Sequence, residues 1–212
     1  MLLSNKTVIT NADLPKIMPI VQEMSSICKA NDIPLHVWVG GNGYVAGTLI
    51  FTVGYESLTE RFNSNAKLLA LKEWWEANRK LREYTISMEP DTIYDYVRGG
   101  VSGPANPIPL GTFIQTSSFQ VAQGADWVST LKYLNEYAEM SAKITGVDVN
   151  IVHTSVGVLG GVGMFSGFAN GEALDAARTK GNASTELMAK FFEGGKFAIA
   201  GTVVQRHMIK IA

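Results

Sequence analysis

The chain has 212 residues, 46% of them hydrophobic and 17% charged, with 18 Lys+Arg against 19 Asp+Glu. That is too apolar, and at a net charge of −1 too neutral, for a disordered chain, and no basic run offers nucleic acid an electrostatic footprint. The single cysteine, Cys28, excludes an internal disulfide and a thiolate zinc cluster and suits a reducing compartment, so a cytoplasmic protein is expected. The N-terminus lacks a basic segment followed by a long apolar stretch. No apolar run approaches the ~18 residues a membrane helix needs, so neither a secretory leader nor a membrane partner is expected.

In chain order, residues 7–11 read as a strand. Leu14, Ile17, Val21, Met24 and Ile27 then recur every three or four positions, the period of an amphipathic helix. Residues 33–39, rich in β-branched side chains, lead through Gly40-Gly41-Asn42-Gly43 into 45–53 as a hairpin. A helical region over 57–81 and a strand at 84–88, or slightly beyond, complete this half. Residues 98–111 hold three prolines and four glycines, which deny helix and sheet their backbone requirements. Beyond them the order recurs: a strand at 112–119 and a helix on Leu131, Leu134, Ala138 and Ile144. Strands at 149–156 and 162–169 flank a second glycine turn, followed by helix over 172–192 and strand over 202–211.

The recurrence is visible in the residues. Displaced by 117 positions, His36 falls on His153, Gly40 on Gly157, Phe51 on Phe168 and Arg61 on Arg178; from 36 to 76 there are 11 identities in 41 pairs. Composition alone gives roughly 2 to 3. The expected fold class is therefore α+β: tandem duplicated ferredoxin-like βαββαβ units, one over 1–101 and one over 112–212, joined by a Pro/Gly linker at 102–111. Each unit carries its helices on one sheet face, so the open faces are expected to pack on each other as an intrachain barrel.

Strand alternation then nominates the interior. In Leu35-His36-Val37-Trp38-Val39 the aliphatic residues suit the helix side, which turns His36 and Trp38 to the lumen. The same reasoning, with the 117-residue displacement, places Thr48, Ile50, His153, Ser155 and Phe165 there. His36 and His153 are the candidate catalytic residues, because an imidazole can act as general base near neutral pH. Their bland alternative is a hydrogen-bonding role at the seam between the units. Trp38, Thr48, Ile50, Ser155 and Phe165 are candidate ligand contacts. The glycine stretches lack the Lys-Ser/Thr of a P-loop and stand between strands, so they read as turns and not nucleotide sites. No metal-spaced His/Asp/Glu set is present, and no metal is expected. Asn65 and Asn182 are expected to cap longer helical segments after a break at Ser64 and Gly181. Arg206 is expected to bridge to Glu89 or Asp91 at the surface.

On this duplication and topology the chain resembles the dimeric α+β barrel superfamily in its fused, two-repeat form. That superfamily includes NIPSNAP-like proteins, antibiotic-biosynthesis monooxygenases, muconolactone isomerases and chlorite-dismutase-like haem proteins. The resemblance implies a small planar organic ligand in the lumen and a monooxygenase or isomerase that works without a cofactor. The alternatives are a haem-binding relative of the chlorite dismutases, with histidine as axial ligand, and a non-catalytic binding or assembly module. A homodimer is expected, because outer strand edges and low net charge favour association.

Overall fold

The structure, a computed structural model, describes residues 1–11, 13–100 and 108–212. Positions 102–107 of the expected linker therefore lie outside the described residues. The first half contains β1 (Leu2–Thr10), α1 (Leu14–Ala30), β2 (Leu35–Gly40), β3 (Thr48–Tyr55), α2 (Leu58–Leu69), α3 (Lys72–Arg82), β4 (Thr85–Met88) and β5 (Thr92–Arg98). The second contains β6 (Phe113–Gln120), α4 (Trp127–Thr145), β7 (Asn150–Val156), β8 (Gly161–Phe168), α5 (Gly171–Ala183), α6 (Thr185–Glu193) and β9 (Val204–Lys210). Among the described residues, no helix is long and apolar enough to cross a membrane.

The strands run β3-β2-β9-β6-β8-β7-β5-β1, and β1 pairs back onto β3, so eight antiparallel strands close a barrel. The halves are stitched at two seams. At one, Trp38, Val39 and Gly40 of β2 pair with Lys210, Ile209 and Met208 of β9. At the other, β5 pairs with β7, Asp95 opposite His153. The last strand of the first half is split, which the sequence reading did not foresee. β4 pairs with β1 near Val8–Thr10 and β5 with Leu2–Asn5, and the chain between them passes Pro90. Closure consumes the outer edges expected to drive association; among the described residues β4 is paired only through β1.

Strand parity sorts the core. Val8, Val37 and Leu49 face outward and meet Ile17, Val21 and Met24 of α1, with Ala77 and Leu81 of α3. In the second half Ile151 and Val162 meet Tyr133, Leu134 and Ala138 of α4. Inside the barrel, Trp38, Ile50, Ile114 and Met208 form a third cluster. Burying such side chains stabilises the fold by about 1.5–3 kcal/mol each before entropy is charged against it.

The helix starts define how the halves correspond. The N-caps are Asp13 and Asp126, Ser57 and Asn170, Leu71 and Ser184, each pair 113 positions apart. The structural repeat is thus four residues shorter than the displacement with most identities. Ser57, Asn170 and Ser184 accept backbone N–H bonds from Glu60, Ala173 and Leu187. Asn65 and Asn182 do not cap. α2 runs unbroken through Asn65 to Leu69, and Asn182 lies in the last turn of α5, one helix before the cap at Ser184.

Candidate functional site

The barrel encloses a cavity of about 490 Å³. Alternate residues of its strands aim inward: Asn5 and Thr7 from β1, His36 and Trp38 from β2, Tyr94 and Tyr96 from β5, Ile114 and Thr116 from β6, Phe165 from β8, and Arg206 and Met208 from β9. Gly54 and Gly167 leave the room that larger side chains would fill. The walls mix aromatic and aliphatic side chains with hydroxyls, the amides of Asn5 and Asn150, and the charged Arg206 and Glu89.

Trp38 is 3% exposed, and its indole N–H donates to Thr52 Oγ1 at 2.8 Å. That bond locks the ring, and His36 stands edge-on to it, the centroids 6.2 Å apart. Burial, and secondarily the Lys210 charge, pull the His36 pKa down from 6.5 to about 4. The imidazole is therefore neutral at pH 7. Lys210 is itself buried, its ammonium donating to the Ile108 carbonyl at 2.5 Å, and burial lowers its pKa. On the far wall Tyr96 meets Phe165 edge-to-face, the centroids 6.0 Å apart. Burial pushes the Tyr96 phenol up to about 12.

Arg206 is the second polar feature. Its guanidinium lies over the Tyr44 ring, 5.1 Å from the centroid, and its buried Nε makes no hydrogen bond within the described residues. The expected bridge to Glu89 or Asp91 does not form. Asp91 instead pairs with Lys6 and Arg61, each at 3.3 Å, on the outer surface. Arg206 points inward because it alternates with Met208 along β9, beside Thr116 and Ile114 of β6. Burial raises the pKa of Tyr44, against the opposing effects of Arg206 and a hydrogen bond to Thr116.

Of the residues nominated from sequence, His36, Trp38 and Phe165 line the cavity. Ile50 faces inward but is packed under Trp38, Ile114 and Met208 as wall. Thr48 is buried at the end of β3, its hydroxyl donating to the Val45 carbonyl at 2.6 Å. His153 and Ser155 are corrected. His153 faces the helix side, edge-on to Trp127 at 5.6 Å, and its Nε2 is 3.7 Å from Asp95 Oδ2 across the β5–β7 seam. Ser155 donates to the Ile93 carbonyl at 3.2 Å, away from the lumen. The true partner of His36 is Asn150. His36 stands opposite Thr52 as Asn150 stands opposite Phe165, and both line the cavity. The sequence reading missed Tyr94, Tyr96, Arg206 and Met208, although Thr92-Ile-Tyr-Asp-Tyr-Val-Arg98 alternates as a strand should.

No protein-family model matches the chain, and no curated protein matches it. Solved structures do. A candidate monooxygenase from Fusobacterium nucleatum superposes with a TM-score of 0.70 at 7% identity, over 100% of this chain and 92% of that one. An anthrone oxidase-like protein superposes with a TM-score of 0.63 at 15% identity, over 100% and 91%. A candidate chlorite dismutase superposes with a TM-score of 0.58 at 12% identity, over 99% and 96%. The fold is that of the dimeric α+β barrels, with both units in one chain.

Proposed function

We propose that the lumen binds a planar, polycyclic phenol or enol and that His36 removes a proton from it. The observation that carries this reading is the coincidence, in one 490 Å³ cavity, of a neutral imidazole, aromatic side chains and a guanidinium that forms no ion pair with Glu89, the carboxylate lining the same cavity. Trp38 and Phe165 would bracket the ring system. Arg206, four residues along β9 from the Lys210 that pairs with Trp38, would bind an acidic oxygen at the far end of the ligand. A conjugate acid with a pKa near 4 is a weak base on its own, but an anion formed beside the imidazole raises that value by attraction. Proton transfer and charge development are thereby coupled.

With dioxygen as oxidant, an activated methylene such as that of an anthrone would become a carbonyl. The carbon loses two hydrogens, gains one oxygen atom, and the other oxygen leaves as water. Without dioxygen the same proton returns at another carbon, which is isomerisation. The likeness to an anthrone oxidase-like protein supports the first. The haem reading asks more than the residues offer, because the lumen imidazole lies beside the Lys210 cation, which opposes a bound iron. The test is aerobic incubation with anthrone, following quinone absorbance and oxygen uptake together. Turnover lost in His36→Ala supports the reading; no consumption of anthrone by the wild-type protein contradicts it.

A further inference from the structure

The two halves differ in the space between sheet and helices, on the side away from the lumen. In the first half this space is solid: Cys28, Ile33 and Leu68 pack together, with Trp74 against them. The 113-residue correspondence of the helix caps places Ser141 where the first half has Cys28, Gly181 where it has Leu68, and Leu187 where it has Trp74. The helix interiors agree with this register, since Val21 and Leu134 are both wholly buried. Three replacements, each smaller or more polar, leave a cavity of about 240 Å³ beneath α4, α5 and α6.

The lining of that cavity has a direction. Its inner end is apolar, with Val149, Met164 and Phe168 beside Leu187. Its mouth is polar, with Gln115 and Gln205 from the sheet and Asn182 and Arg178 from α5. Arg178 is, among the described residues, the one charged residue lining it. Among the described residues no carboxylate pairs with Arg178. In the register of the helix caps Arg178 stands where the first half has Asn65, so the charge at this position belongs to the second half. His207, bonded to Gln115 at 3.3 Å, adds no acid either.

We infer that this hollow is a second ligand site, separate from the lumen, for a small organic monocarboxylate. Its apolar body fills the space opened by Gly181 and Leu187, and its anionic head meets Arg178 at the mouth. One exposed cation with neutral amides around it suits one negative charge; a phosphate dianion would want several charged donors. The exposed ion pair contributes little by itself, so most of the affinity comes from burying the tail. The inference does not depend on what the lumen binds.

Octanoate is the probe, read through methyl-labelled methionine. Met164 and Met188 line the hollow, whereas Met208 lines the lumen. Octanoate should move the Met164 and Met188 methyl resonances in a saturable way and leave Met208 in place. Arg178→Gln should weaken binding by about two- to fivefold, the reach of an exposed ion pair, and octanol should bind the wild type no better than octanoate binds that variant. Gly181→Leu, which restores the side chain found in the first half, should abolish the shifts; should it fail to fold, Leu187→Trp does the same from the facing helix. No saturable shift, movement of Met208 instead, or binding indifferent to Arg178→Gln and to filling the hollow overturns the inference.

Discussion

Thr52 holds Trp38 in place: the threonine hydroxyl accepts the indole N–H at 2.8 Å, and both side chains are buried. Thr52 also stands directly opposite His36 on the neighbouring strand. One hydroxyl therefore sets the ring against which the lumen imidazole rests. Thr52→Val keeps the shape and leaves the indole N–H without a partner, at a cost of about 1–3 kcal/mol. Chemical denaturation should show that loss, and Trp38→Phe in the same background should recover part of it.

The His36 imidazole makes stability pH-dependent in a defined direction. Its native pKa, about 4, lies below the unfolded value of 6.5, so between these values the unfolded chain binds more protons. Stability is complete above pH 6.5, falls as the pH drops towards 4, and has no further His36 contribution below that. Burial lowers the His207 pKa too, adding to the slope in the same sense. Denaturation midpoints across pH 4–7 should therefore show a flatter profile in His36→Asn, with a remainder from His207. An unchanged slope would contradict the burial of His36.

Gly47 turns the chain into β3 with φ +81°, and its carbonyl accepts from both the Thr10 N–H and the Thr10 hydroxyl. A Cβ there would collide with the Thr10 carbonyl oxygen. Gly47→Ala should destabilise the protein by more than the ~1 kcal/mol that a positive φ alone costs an L-residue, whereas Gly124→Ala, also at positive φ but with open space around it, should cost no more than that. Paired thermal melts of the two variants separate strain from collision.

Barrel closure narrows how the homodimer we propose would form. Among the described residues β4 keeps one side unpaired, and it carries the exposed Ile86 and Met88. Two copies could pair β4 to β4 about a twofold axis. Light scattering should give twice 23.0 kDa for the wild type and one copy for Ile86→Lys. A 23.0 kDa species at high concentration would overturn it.

The duplicated topology was legible because hydrophobic period survives divergence: α1 and α4, or β2 and β7, keep their rhythm without keeping their residues. The interior was only half legible, and the reason is register. A displacement of 117 against a structural repeat of 113 is a slip of four, which keeps a strand on the same face and a helix within about one turn. Phe165 was therefore placed correctly. Across the second hairpin the correspondence is 114, so His153 was read with a slip of three. An odd slip turns a strand over, and His153 faces the helices. Arg206 was read as a surface bridge for another reason: nothing local in β9 distinguishes a lumen cation from a seam cation until β6 and β2 are known to flank it.

Titration of methyl-labelled protein with 1,8-dihydroxyanthraquinone, a planar product-like phenol, tests the central claim most directly. Met208 lies in the lumen wall, and Met164 and Met188 lie outside the barrel. The account predicts a large ring-current shift of Met208 that saturates, is weakened by Arg206→Gln, and leaves Met164 and Met188 unmoved. A Met208 signal that stays in place while the compound binds elsewhere, or does not bind, would contradict it.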